Sequence, residues 1–132
     1  MARRLAAHLP LTETPIPRAL VAIPAQNEEE HIGRCLAALR AQVGVGRHEP
    51  EGRFGVLLLL NNCCDGTRAV AVNAWQGSSI PLHLAEVDLA GPAANAGFAR
   101  GLALDLAALW LERTSNADGV LLTSDADSRV AD

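Results

Sequence analysis

From residue 19 onward, short apolar runs alternate with stretches whose apolar positions recur at helical spacing. Ala19–Ile23 is wholly apolar and stops at Pro24, the length expected of a buried strand. Asn27-Glu28-Glu29-Glu30 follows, with Asn27 as the expected N-cap and Glu30 at the capping-box position three residues on. Ile32, Cys35, Leu36 and Leu39 fall on one helical face, so the spacing predicts a helix over about 28–42. Gly44, Gly46, Pro50 and Gly52 mark a loop. Phe54–Leu60 is apolar nearly throughout, as in a strand covered on both faces.

The alternation continues. Asp65-Gly66-Thr67 opens a second predicted helix over about 66–76, broken by Gly77-Ser78-Ser79. Ile80–Val87 alternates enough for a third strand. Gly91-Pro92 reads as the start of a third helix, with Pro92 in its first turn. Its stripe is Phe98, Leu102, Leu106, Leu109 and Trp110, fading near Thr114. Asp118-Gly119 then leads into a fourth strand, Val120–Thr123.

Strands alternating with helices, joined by loops too long for hairpins, imply a parallel sheet layered with helices. The expected fold is α/β, in three Rossmann-like layers, with a mostly parallel sheet of about four strands. Residues 1–18 hold Pro10, Pro15 and Pro17 among polar residues and read as an irregular leader, with 19–132 as one domain. A fourth strand at a sheet edge would expose unpaired N–H and C=O groups, so self-association is expected.

Composition narrows the partners. The chain has 132 residues and 49% apolar content, one domain's worth. Folding at this length buries roughly two thirds of the unfolded surface, enough for a core without disulfides or metal. A net charge of −4 weighs against nucleic acid as a main partner, because phosphate binding needs surplus cations. All eleven cations are Arg, which reads as base composition of the coding DNA and not as an arginine patch. No run of about eighteen apolar residues would cross a membrane. The stretch behind Arg3 and Arg4 is cut by His8, Pro10 and Glu13, too short for a secretory signal. Cys35, Cys63 and Cys64 make a poor disulfide framework and suit a reducing, cytoplasmic setting.

In an open parallel sheet, ligands bind outside the carboxyl ends of the strands. Four segments should lie there: Pro24–Glu28, Asn61–Asp65, Asp88–Asn95 and Asp125–Asp127. Each gathers polar residues directly after an apolar strand. If the chain stays extended past Thr123, Asp125 and Asp127 point the same way and converge, a donor set for Mg²⁺ or Mn²⁺ with substrate phosphates. Taken alone, Asp-Ala-Asp is more often a polar turn; its place after a fourth strand favours the metal reading. Asn27, Glu28 and Asp65 have a double reading, as helix caps or first-turn acids and as crevice residues. Asn61 and Asn62 are more informative, because nothing about a strand end demands two amides. Cys63 and Cys64 read as structural, and His31 and His83 are assigned no role. Gly91–Gly97 lacks the GxGxxG pattern, so a dinucleotide site is disfavoured.

Four segments together resemble the family 2 glycosyltransferases of GT-A fold: Val21-Ala-Ile-Pro-Ala-Gln-Asn-Glu-Glu-Glu30, Leu59-Leu-Asn-Asn-Cys-Cys-Asp-Gly-Thr67, Gly91-Pro-Ala-Ala-Asn-Ala-Gly97 and Leu121-Leu-Thr-Ser-Asp-Ala-Asp-Ser-Arg-Val130. They occur in the family's order and cover nearly everything from Ala19. The resemblance implies the N-terminal, nucleotide-sugar-binding half of such an enzyme. It implies that Pro24, Ala25, Asn27 and Glu28 wrap the nucleoside, and that Asn61, Asn62 and Asp65 contact the base of a UDP- or GDP-linked sugar. Asn95 joins that set, while Asp125 and Asp127 would hold ribose and the metal–diphosphate, with Mn²⁺ or Mg²⁺ as cofactor. Two departures stand out. Many members carry Asp where this chain has Asn62, whose carbonyl can accept the same bond with less charge assistance. Many also place Arg or Lys near Ala93 or Ala94, where this chain has neither.

The family's acceptor half and catalytic base lie beyond the metal motif, so no catalytic base is assigned here. The implied activity is inverting, metal-dependent sugar transfer, expected to be incomplete in this chain. A non-catalytic nucleotide-binding module needing a partner is the alternative. A sugar nucleotidyltransferase-like enzyme is a third, though it would want a glycine- and Lys/Arg-rich loop where Ala25-Gln26-Asn27 stands.

Overall fold

The computed structural model describes residues 19–41, 54–78, 80–113 and 119–126. The expected leader at 1–18, the loop at 44–52 and Asp127 lie outside the described residues. Four strands form one sheet: β1 (Ala19–Ala25), β2 (Phe54–Asn61), β3 (Leu82–Val87) and β4 (Val120–Thr123). Their order is β3-β2-β1-β4 and every pairing is parallel. The helices are α1 (Ile32–Ala41), α2 (Thr67–Trp75) and α3 (Ala96–Arg113).

Alternate strand residues feed two cores. Val21, Ile23, Val56, Leu58 and Leu60 pack beneath α1 and α2, against Ile32, Leu36, Leu39, Ala71 and Trp75. Leu20, Ala22, Leu57 and Leu59 pack on the opposite face beneath α3, against Leu102, Leu106 and Trp110. A strand covered on both sides has no wet face, which is why β2 reads as an unbroken apolar run. The α/β, three-layer, Rossmann-like expectation holds. Arg40, in the last turn of α1, donates to the carbonyls of Ala74 and Gln76 at 3.1 and 2.8 Å, tying α1 to the exposed end of α2.

Three boundaries differ from the sequence pattern, each for a local reason. The first helix begins at Ile32 and not near 28. Asn27 takes a left-handed backbone (φ 51°), and the N–H groups of His31 and Ile32 both donate to the Glu28 carbonyl. Asn27 is therefore not its N-cap, and the Asn27–Glu30 capping box does not form. The third helix does not start at Gly91-Pro92. Gly91–Ala93 is one 3₁₀ turn, Gly91 sits at φ 60°, and the chain leaves helical geometry at Ala94 (ψ 64°). Asn95 then restarts it, its Oδ1 accepting the Phe98 N–H at 2.8 Å as an N-cap does. The third strand begins at Leu82 instead of Ile80, because the Ile80 carbonyl is taken by the buried indole N–H of Trp75 at 2.7 Å.

Trp110 is fully buried and meets the His83 ring edge-on, centroids 4.4 Å apart. Gly55 makes room for it: a Cβ there would lie 3.1 Å from both Leu20 Cδ2 and Trp110 Cη2. Gly55→Ala is expected to destabilise the chain by about 1–3 kcal/mol through overpacking. Urea denaturation reads this as a lowered midpoint; an unmoved midpoint would mean that α3 can shift to accept the methyl.

Candidate functional site

The winding of the sheet reverses at β1. From β1 through α1, β2 and α2 to β3 the chain moves one way; α3 then crosses the other face and delivers β4 to the far side of β1. The crevice at such a reversal, outside the carboxyl ends of the strands, is the usual ligand position in open α/β sheets. Its opening has a local cause. The Ala22 carbonyl accepts the Ser124 N–H at 3.2 Å. Pro24, two residues on, faces the same side and has no N–H to give. Pairing with β4 ends at Ala22 and Thr123, while β1 stays paired with β2 as far as Ala25 and Leu60. The two chains part, leaving a cleft of about 360 Å³.

The cleft is lined by Pro24, Gln26 and Glu28 after β1, Asn61 at the end of β2, and Asp125 and Ala126 after β4. α3 contributes Ala96, Ala99 and Arg100, one helical face at i, i+3 and i+4. Asn61 is 5% exposed, and its amide donates to Gln26 Oε1 at 3.4 Å. Arg100 pairs with the Asp125 carboxylate, both side chains about half exposed. Ala126 is buried in the α1-side core, and the Cys35 thiol lies 3.5 Å from the Asp125 carbonyl. The small middle residue of the Asp-Ala-Asp segment thus anchors it and leaves Asp125 at the cleft. Ala126 lies in a turn, so the extended geometry expected past Thr123 ends by that residue. Asp127 lies outside the described residues.

Most remaining polar residues at this edge bind loops to one another. The Cys64 N–H donates to Asn27 Oδ1 at 2.8 Å, the Glu28 N–H to Thr67 Oγ1 at 2.9 Å, and the Glu29 N–H to Asp65 Oδ2 at 3.3 Å. Thr67, fully buried, donates its hydroxyl to Asp65 Oδ1. Those bonds, the Thr67 hydroxyl first, hold the Asp65 carboxyl below its ordinary value of 3.8. Asn62, at φ 54°, exchanges two hydrogen bonds with Leu89: its amide donates to the Leu89 carbonyl at 2.8 Å and its Oδ1 accepts the Leu89 N–H at 3.0 Å. The amide expected to meet a base is thus paired within the fold.

Of the residues expected at a site, the cleft gathers Pro24, Glu28, Asn61 and Asp125. Ala25 is buried in the α1-side core; Asn27, Asn62 and Asn95 brace backbone. Asp65 lines a second cleft, about 500 Å³, with Cys63, Arg68, Glu86 and Asp88. That cleft is larger but lies away from the reversal, and Arg68 pairs there with Glu86 at 2.6 Å. The smaller cleft is the better ligand site. Gln26 falls within the expected segment Pro24–Glu28 without being singled out, and Arg100 is not among the expected residues. The available signal for Arg100 was its spacing from Ala96, off the apolar stripe of α3.

Among the described residues no three His, Cys, Asp or Glu side chains converge as a metal site. The cleft does present hard oxygen donors in Glu28 and Asp125, the kind that a divalent cation takes when phosphate oxygens and water complete its shell. Among the described residues no helix is long and apolar enough to cross a membrane.

No protein-family model matches the sequence, and no curated protein matches it. Solved structures do. TarS of S. aureus, residues 1–349 in complex with UDP, superposes with a TM-score of 0.56 at 22% identity, over 83% of this chain and 27% of that one. The same TarS segment in a second structure gives 0.58 at 21% identity, over 85% and 28%. The chain therefore shares the fold of that part of TarS. The chain spans little more than a quarter of the length of those structures.

A depressed carboxyl stabilises the fold above its unfolded value and ceases to as pH falls through its folded one. The stability difference between the unaltered chain and Asp65→Asn should therefore hold steady at neutral pH and shrink as pH falls through 3.8 and below. Denaturant titrations at stepped pH check this; a difference that grows on acidification would contradict the assigned cause.

Proposed function

We propose that the chain is the nucleotide-sugar-binding half of a glycosyltransferase of the family 2 type. The observation that carries this reading is the cleft at the winding reversal, in a chain whose fold is that of TarS, a family 2 glycosyltransferase crystallised with UDP. A volume near 360 Å³, lined by two amides, two carboxylates and one guanidinium, suits a nucleotide better than an apolar ligand. The uncharged amides of Gln26 and Asn61 would meet the base, since an amide offers one donor and one acceptor. Asn61, and not Asn62, is the side chain available to it. Asp125, with Asp127, would hold ribose and a divalent cation, Mn²⁺ or Mg²⁺. When bound, that cation supplies Lewis-acid stabilisation of charge on the departing diphosphate. Sugar transfer to an acceptor would draw on residues outside those described, and a cytoplasmic setting accords with the free thiols of Cys35, Cys63 and Cys64.

A second reading is a module that binds a nucleoside diphosphate and does chemistry only with a partner. It is favoured by one observation: both described carboxylates of the cleft already have a nitrogen neighbour, Asp125 pairing with Arg100 and Glu28 having His31 Nδ1 3.3 Å from its Oε2. Self-association forms part of the proposal. Val120 and Leu122 on the edge strand β4 are 55% and 51% exposed. Sedimentation at rising concentration should show mass increasing beyond the monomer, and a strict monomer would remove that element.

The central test is thermal stability with UDP, GDP and their sugars, with and without Mn²⁺. Ligand at a hundred times its dissociation constant should add about 2.7 kcal/mol. The shift is expected with uridine nucleotides, increased by Mn²⁺, with the manganese-dependent part lost in Asp125→Ala and Asp127→Ala. A cooperative transition unmoved by every nucleotide would refute the proposed function.

A further inference from the structure

We infer that Arg100 is the residue that grips the diphosphate, and that Asp125 holds its guanidinium at the cleft until the nucleotide arrives. The inference rests on the nucleotide reading above and gives it a named anion-binding residue.

Among the described residues that line the cleft, Arg100 is the one cation, facing the carboxylates of Glu28 and Asp125. Arg40 lies at the opposite end of α1, donating to carbonyls at the end of α2, and Arg68 pairs with Glu86 in the second cleft. Arg100 stands on the same face of α3 as Ala96 and Ala99, whose short side chains leave the cleft wall low beside it. Its pairing with Asp125 is half exposed, and an exposed ion pair is held weakly and exchanged readily. A guanidinium carries five N–H donors, so one carboxylate leaves others free, and its planar fork matches two oxygens of a phosphate. A buried pair would read as a tie between α3 and β4. A half-exposed pair across a ligand cleft reads as a counter-ion waiting to be exchanged. Arriving phosphate oxygens would draw Arg100 off Asp125 and free that carboxylate to meet the sugar side of the ligand.

A structural tie and a diphosphate grip differ in one respect: only the second distinguishes a nucleotide from its nucleoside. The test is calorimetric binding of UDP and of uridine to the full chain in the presence of Mn²⁺, for the unaltered protein, Arg100→Gln and Arg100→Lys. Arg100→Gln should raise the UDP dissociation constant roughly ten- to a hundredfold, the scale of a charge-assisted hydrogen bond. Uridine binding should stay within about twofold, and Arg100→Lys should recover part of the loss because it keeps the charge and loses the fork. If Arg100→Gln and Arg100→Lys weaken UDP and uridine alike, or leave both unchanged, the inference is overturned while the nucleotide reading stands. If UDP fails to bind the unaltered chain, the nucleotide reading falls and this inference with it.

Discussion

Everything at the candidate site depends on where the β1–β4 ladder stops. β1 is shared by two halves of the sheet wound in opposite directions, and a strand so placed could pair with both neighbours along its whole length. It does not, because Pro24 presents no N–H on the side facing β4. A proline inside a central strand ordinarily costs a ladder bond. Here the missing donor falls where the ladder must open for a cleft to exist, so the same residue ends the pairing and forms part of the wall. β2, on the other flank, stays paired three residues further and brings Asn61 to the floor.

An opened sheet edge must be kept open in one shape, and this is where most of the polar residues go. Asn27, Asp65 and Thr67 hold the loop after β1 to the loop after β2 by three hydrogen bonds, and Asn62 binds the segment after β3 to the end of β2. Two of these residues, Asn27 and Asn62, sit in the left-handed region, where Asn is among the few non-glycine residues found with any frequency. The amide side chain and the backbone conformation are a joint requirement. Polar residues at a strand end therefore divide into those that hold the rim and those that face the ligand, and only the second group carries specificity.

The sequence made the elements legible and left that division hidden. Apolar runs at 19–23 and 54–60 and the stripe Leu102–Leu106–Trp110 are consequences of burial, which acts residue by residue and leaves a local pattern. The order of segments at the carboxyl edge followed from the same alternation. What could not be read were contacts between residues far apart in the chain. Asn27 looked like a helix cap because capping is local, yet its partner is Cys64, 37 positions away. Asn62 looked free for a ligand because nothing nearby in sequence announces Leu89. Arg100 is passed over for the reverse reason: its spacing from Ala96 takes it off the apolar stripe but does not name its partner, which lies 25 positions on. The chain's resemblance to family 2 enzymes points to both adjacent amides as base contacts; in the fold Asn61 lines the cleft and Asn62 is bonded to Leu89.

The electrostatics of the cleft bear on what can bind there. Two carboxylates and one guanidinium give the lining an excess of negative charge, on a chain whose net charge is already −4. A nucleoside diphosphate is a polyanion, and bringing it to this wall unaided sets like charges against each other at distances where water and salt screen only partly. Exchange of Arg100 from Asp125 to phosphate would relieve one repulsion and create another, because Asp125 is then left without its counter-ion. The arrangement balances only if a second positive charge arrives with the ligand and comes to rest near that carboxylate. A divalent cation carried on the diphosphate meets this requirement, and the acidic character of the cleft then becomes a reason for selecting the metal complex of the nucleotide over the bare anion.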